Sequence, residues 1–297
     1  MYKVNKHTHP HLFTTQDLKS LYVKCKPEAF HLLNLLPEKG LSIVGSRNPH
    51  PQMHSFLDEQ IALLKDSSLI ILSGLALGID AKAHQFALKN NLKTIAVLAH
   101  SHDQNIYPYS NNGLAQEIFQ SGGLLISEYQ SNTPPLPYRF LHRNRLIASL
   151  SKATWIVQAG AKSGALCTAK YALDFEKMCF VTNCLPNQEA FLGNQKLLDD
   201  YHAIPFWGVH SLGQTWLNLS TIQSTKNKKI NIQFKEKNST LLFNKLKSLS
   251  HEGVHCVSRD SLLNWAQENK IQINDFYTSL EEVTHSQVFK KFAIKIY

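Results

Sequence analysis

The 297-residue chain has no long apolar run. Nothing approaches the ~18 consecutive apolar residues of a membrane helix, so a membrane partner is not expected. Cysteine is scarce and unpatterned: five residues, an odd number, with no disulfide framework. Cys179 and Cys184 lie close together, but no second pair completes a zinc site, so neither metal nor cofactor is expected. Residues 1–7 carry no apolar signal region, and together these features predict a reduced, cytoplasmic protein. The dinucleotide fingerprint is missing as well. The first strand runs into Gly45-Ser46-Arg47-Asn48-Pro49 instead of G-x-G-x-x-G, and the second ends in Ser73, where an acid would hold a ribose. There is no P-loop, no placeable Ser-His-Asp order and no pair of carboxylates with a common target. No catalytic residue is therefore assigned.

What is present is a globular composition, 43% apolar, with a formal net charge of +9. The charge is uneven. Residues 1–39 carry six basic and three acidic side chains, residues 40–210 thirteen and twelve, and residues 211–297 twelve and seven. Basic ends around a balanced middle suit a polyanion, with nucleic acid the first expectation.

Residues 1–39 read as an N-terminal helical extension: a mobile end with His7, His9 and His11, then one or two short helices built on Leu18, Leu21, Leu32, Leu33 and Leu36. From residue 40 to 219, short apolar runs alternate with helical patterns. Strands are predicted at 41–44, 69–72, 94–98, 124–127, 153–157 and 179–182. Helices are predicted at 51–65, 81–90, 114–120, 143–150 and 165–175. This alternation predicts an α/β fold, a Rossmann-like, doubly wound, mainly parallel sheet. Residues 220–238 form a Lys-rich linker. Residues 239–297, with helices at 240–249, 260–269 and 274–283 and a strand at 288–296, read as a small winged-helix-like α+β domain.

In such a sheet, ligands gather beyond the carboxyl ends of the strands. Gly45, Ser46 and Arg47 follow the first strand: a turn, an anion-holding hydroxyl and a guanidinium fork. Ser73 and Gly74 follow the second, with Asp80 expected as the N-cap of the next helix and His84 as a packed histidine. The third strand leads to Asp103, Tyr107-Pro108 and Asn111. After the fourth come Glu128 and the stretch Arg139-Phe140-Leu141-His142-Arg143-Asn144-Arg145, which sets guanidinium groups around one ring. Leu146, Ile147 and Leu150 then have the spacing of a core-facing helix. Lys162, Ser163 and Gly164 precede the helix after the fifth strand and offer a second anion cradle. Arg47, Arg139, Arg143 and Lys162 thus collect at one edge. A run of phosphates needs that many cations, and a Phe face suits an unstacked base.

Taken in order, several pieces resemble the DNA processing protein A (DprA, or Smf) family. They are Ile43-Val44-Gly45-Ser46-Arg47, Ser73-Gly74-Leu75-Ala76-Leu77-Gly78-Ile79-Asp80, Tyr107-Pro108, Ser127-Glu128-Tyr129, Arg143-Asn144-Arg145 and Ser163-Gly164-Ala165-Leu166. The family's usual Glu-Ala after the fifth strand is Gln158-Ala159 here, and its Gly-Thr-Asn is Gly193-Asn194-Gln195. The resemblance implies a Rossmann-like domain that binds single-stranded DNA, usually as a homodimer. It also implies a role in natural transformation, in shielding incoming DNA and loading RecA recombinase. By the same resemblance, the residues matching Arg47 and Arg139 contact the strand. The leading expectation is a non-enzymatic, sequence-independent single-stranded DNA binder, using Gly45, Ser46, Arg47, Ser73, Gly74, Arg139, Phe140, Arg143, Asn144, Lys162, Ser163 and Gly164. One alternative is a nucleotide-processing enzyme of the lysine-decarboxylase-like group, although its Pro-Gly-Gly-x-Gly-Thr loop is not found. Another is a protein-interaction module acting through residues 150–215.

Overall fold

The computed structural model describes residues 1–15, 18–183, 189–201, 203–209 and 212, and in the C-terminal part residues 241–242, 244–245, 256–257, 259–269, 271, 279 and 295–296. The chain divides into two units, Met1–Ile222 and Gln223–Tyr297.

The first unit holds a nine-stranded mixed sheet in the order β1-β2-β6-β5-β4-β3-β7-β8-β9. Its parallel part comprises β3 (Gly40–Val44), β4 (Ile70–Ser73), β5 (Lys93–Leu98), β6 (Leu124–Ser127), β7 (Ala153–Ile156), β8 (Met178–Thr182) and β9 (Ile204–Phe206). These strands are almost entirely apolar because helices cover both faces. Pleating divides β3 between two cores: Leu41 and Ile43 face one side, and Val44 faces the other. The first side packs α2 (Pro51–Ala62) and α3 (Ile79–Lys89), with α4 (Asn112–Gln120) in an adjoining cluster. The second packs α1 (Leu32–Lys39), α5 (Pro137–Ser149), α6 (Ala165–Asp174) and α7 (Leu192–Asp200). The fold is the expected Rossmann-like α/β class.

The N-terminal expectation needs correction. Residues 1–39 contribute two strands as well as a helix. β1 (Tyr2–Asn5) and β2 (Ser20–Lys24) pair antiparallel, and β2 pairs antiparallel with β6. The spacing of Leu18 and Leu21 imitates a helix. However, Leu21-Tyr22-Val23-Lys24 alternates with period two, and the open edge of β6 selects the strand. The stretch from residue 10 is also anchored, since Leu12, Phe13 and Leu18 are buried.

A second correction bears on the site. Helix α5 begins at Pro137, six residues before its expected start, with proline in its first turn where a missing N–H costs nothing. The whole Arg139–Arg145 stretch is therefore helical.

The far edge of the sheet is closed by a buried amide. Asn194 Oδ1 accepts from Ala159 N (2.6 Å), and its Nδ2 donates to Val157 O (3.2 Å) and Thr182 O (3.0 Å). One side chain thus ties α7 to the ends of β7 and β8. No helix among the described residues is long and apolar enough to cross a membrane.

In the second unit, β10 (Cys256–Val257) pairs in parallel with β11 (Lys295–Ile296), and α8 (Arg259–Glu268) lies between them in the chain. The linker at 220–238 and most of the segments expected at 240–249, 274–283 and 288–296 lie outside the described residues.

Candidate functional site

The strand order reverses at β3, which neighbours both β4 and β7. The chain leaves β3 toward β4 and leaves β7 toward β8, in opposite directions, so a crevice opens beyond their carboxyl ends. A cavity of about 690 Å³ fills it, lined by Gly45, Ser46, Arg47, Asn48, Ala76, Asp80, Phe140, Leu141, Arg143, Asn144, Lys162, Ser163, Gly164 and Thr168, among others. Nine of the twelve residues expected to bind DNA therefore meet in one place: Gly45, Ser46, Arg47, Phe140, Arg143, Asn144, Lys162, Ser163 and Gly164. Asn48, Ala76 and Thr168 also line it and were not assigned as site residues, although Ala76 falls within a piece that carries the family resemblance. Their small or neutral side chains carry no signal that distinguishes a cavity wall from an ordinary loop.

The first wall is a braced loop. Ser46 N donates to Gln158 O (2.7 Å), Asn48 N donates to Ser46 Oγ (3.1 Å), and Ile79 N donates to Ser46 O (3.1 Å). Ser46 thus shapes the loop with its amide as donor and its hydroxyl oxygen as acceptor. Gln158 Oε1 accepts from His50 N (2.9 Å), which binds the loop further to β7. Gly78 has φ +75°, and a Cβ there would stand 2.3 Å from Ser46 O, so only glycine lets α3 start this close. With this backbone held, the exposed Arg47 projects from a rigid base.

The floor overturns part of the expectation. Ser73 and Gly74 are buried. Ser73 Oγ donates to Ile43 O (2.6 Å), and Gly74 N donates to Asp80 Oδ2 (3.1 Å). Asp80 is therefore a buried staple for the loop after β4, where the sequence suggested an N-cap. Arg143 is only 3% exposed, and its Nη1 donates to Gly74 O (2.6 Å) and to Val97 O. Burial pulls its pKa down to about 10, still protonated at neutral pH, with the Asp80 charge opposing the shift. Burial raises the Asp80 pKa, while Arg143 and the Gly74 N–H act to lower it. A guanidinium committed to two carbonyls and facing a buried carboxylate is a structural ion, where a phosphate ligand was expected. The sequence could not reveal this, because Gly74 and Val97 are distant in the chain.

The opposite wall is α5. Phe140 reaches the cavity, with its ring 5.4 Å from that of Tyr107, which is 55% exposed. Leu146, Ile147 and Leu150, one turn and more beyond, are core as expected. Arg139 is not in the cavity. Its guanidinium carbon lies 5.3 Å from the Tyr129 ring and 5.4 Å from the Tyr138 ring, and its Nη1 donates to Pro134 O. Arg145, 5% exposed, pairs with Glu128 at 2.5 Å, and its Nε donates to His142 Nε2 (3.2 Å). That pair locks α5 to the end of β6. On the third side, the exposed Lys162 stands beside Ser163, whose Oγ accepts from Ala165 N (3.3 Å) at the start of α6, while Asn144 Nδ2 donates to Gly164 O (3.2 Å). Among the described residues no cluster of histidine, cysteine and carboxylate side chains could hold a metal.

Fold and cavity together define a doubly wound α/β protein with an open, cation-edged cleft at its switch point. Residues 18–215 match the family of DNA recombination-mediator protein A, and the chain belongs to that family. Among relatives, it is 43% identical over 148 residues to protein Smf of Synechocystis, covering 50% of this chain and 36% of that one. It is 38% identical over 142 residues to DNA processing protein DprA of Streptococcus pneumoniae, covering 48% and 49%. The chain spans about a third to a half of the length of these curated relatives. The crystal structure of DNA processing protein A from S. pneumoniae superposes with a TM-score of 0.64 at 27% identity, covering 72% of this chain and 74% of that one. DNA processing protein A from Helicobacter pylori, a structure described for its single-stranded DNA binding mode, gives 0.62 at 31% identity, covering 73% and 94%.

Proposed function

We propose that the cleft binds single-stranded DNA without sequence preference and performs no chemistry on it. One observation carries the reading: exposed Arg47 and Lys162 edge the same open cavity that Phe140 walls. The cations neutralise phosphates, and the ring stacks an unpaired base. Backbone contacts carry no sequence information, so recognition is general. The family, and the H. pylori relative described for its single-stranded DNA binding mode, support this reading. Arg143 serves from beneath the floor by holding the loop after β4. As in the family resemblance, the wider role is protection of incoming DNA and loading of RecA recombinase in the cytoplasm during natural transformation. The protein acts as a homodimer, with residues 239–297 as a winged-helix-like accessory domain.

Fluorescence anisotropy with labelled oligothymidine tests the core of this reading. Log affinity falls with log salt at about −0.7 per neutralised phosphate. Salt-independent binding, or equal preference for duplex and single strand, rules the mechanism out.

A further inference from the structure

The antiparallel ribbon β1–β2 uses one face for the core and leaves the other uncommitted. Val4, Leu21 and Val23 are buried in the cluster that includes α1, α5 and α6. The pleat therefore turns Lys3, Tyr22 and Lys24 to the other side. Lys3 and Lys24 are exposed, and Tyr22 is half-buried. Lys3 pairs across the ribbon with Tyr22, and its Nζ lies 5.8 Å from that ring. Lys24 Nζ lies 5.9 Å from the ring of Phe119 on α4.

Two concavities adjoin this row. One of about 240 Å³ is lined by Tyr22, Lys24, Ser101, His102, Asp103 and Tyr129, among others. The other, about 280 Å³, shares Lys24 and His102 and adds Phe119. Their walls are tied down. His102 Nε2 lies 2.9 Å from Tyr22 O, Asn132 N donates to Asp103 Oδ2 (2.7 Å), and Thr133 N donates to Ser101 Oγ (3.0 Å). Burial lowers the His102 pKa, and Lys24 adds to the shift, so the imidazole is neutral and donates from Nε2 to the ribbon. Asp103 is an anion at one edge, its pKa lowered by hydrogen bonds from Ser101 and Asn132.

The row is continuous with the main cleft. Tyr22 pairs with Ser127, the last residue of β6, so the ribbon reaches the same rim of the sheet. Tyr129 lines the smaller cavity, Arg139 packs on Tyr129, and the next residue, Phe140, lines the main cavity. Arg139 thus stands between the main cavity and the one beside the ribbon.

We propose that this open ribbon face is a second subsite for the same single-stranded nucleic acid, with Tyr22 and Tyr129 stacking bases and Lys3 and Lys24 meeting phosphates. It rests on the cleft reading above and extends it. Alternating aromatic and cationic side chains on a solvent-facing sheet suit unpaired bases of any sequence.

The test measures affinity for oligothymidines stepped from about 4 to about 16 nucleotides, a range that spans single-module site sizes. The full chain gains affinity again once the strand is long enough to pass Arg139. Tyr22→Ala with Lys24→Ala loses that gain, binding the longest oligonucleotide about tenfold more weakly and the shortest unchanged. Lys3→Glu with Lys24→Glu gives the same pattern through exposed side chains alone and serves where Tyr22→Ala does not fold. Equal affinities at every length for both double variants overturn the subsite, while Arg47 dependence leaves the cleft standing. Arg47→Ala without effect, beside ribbon variants that weaken binding, overturns the cleft and keeps the ribbon. No binding at any length ends both. A change in oligomeric state alone, read by light scattering with affinities intact, makes the face a self-association surface and refutes the proposal.

Discussion

The first turn and the middle of α5 employ the same residue type in opposite ways. Arg139 lies in its first turn, against Tyr129 and Tyr138 at the rim, next to a ring that reaches the cleft. Arg143 is four residues on, about 6 Å along the axis, and is buried over the strand ends with its guanidinium spent on Gly74 O and Val97 O. Arg145 is buried against Glu128. One helix thus anchors itself with two arginines and leaves its N-terminal turn to meet solvent. The contrast teaches that a basic stretch is no count of available cations, because depth beneath the rim sets the use of each.

The largest effect expected is on stability. Arg143→Ala leaves two buried carbonyls without this donor and removes the charge that lowers the Asp80 pKa, and costs about 3 kcal/mol in urea denaturation. A loss under 1 kcal/mol would make Arg143 a ligand residue after all and erase the contrast. Gly74→Ala acts in the same direction, since its Cβ would lie 2.5 Å from Arg143 Nη2.

Next in size is a pH effect beneath the same floor. His84 is fully buried, with Nδ1 2.7 Å from Thr94 Oγ1. Burial first, and then the Arg143 charge, push its pKa down to about 3. The unfolded chain takes up this proton near the ordinary value of about 6.5. The contribution is therefore present above about pH 6.5 and is lost as pH falls toward about 3, amounting to about 2 kcal/mol by pH 5. Urea midpoints at pH 7 and pH 5, compared between wild type and His84→Gln, isolate it; identical pH responses sink the assignment.

At the rim the signs reverse. Phe140→Ala weakens oligothymidine binding by ~1–3 kcal/mol, the worth of one stacked base. Its melting temperature moves far less than that of Arg143→Ala. Arg47→Ala is the mildest change for the fold, within about 0.5 kcal/mol of wild type for an exposed side chain. It lowers the salt slope by about 0.7 for the phosphate it releases. A destabilised Arg47 variant with an unchanged slope would place that residue among the structural arginines.

The sequence by itself determined the layered α/β architecture, because strands covered on both faces must be continuously apolar and the helices between them must carry an apolar stripe. It also determined which loops share the rim, since successive parallel strands deliver their carboxyl ends to one edge. Only the tertiary structure decided that β1 and β2 are strands, because the open edge of β6 pairs with β2 and β2 in turn pairs with β1. Only it decided which arginines are free. The partners that bury Arg143 lie 69 and 46 residues away, and no local spacing encodes a contact of that range.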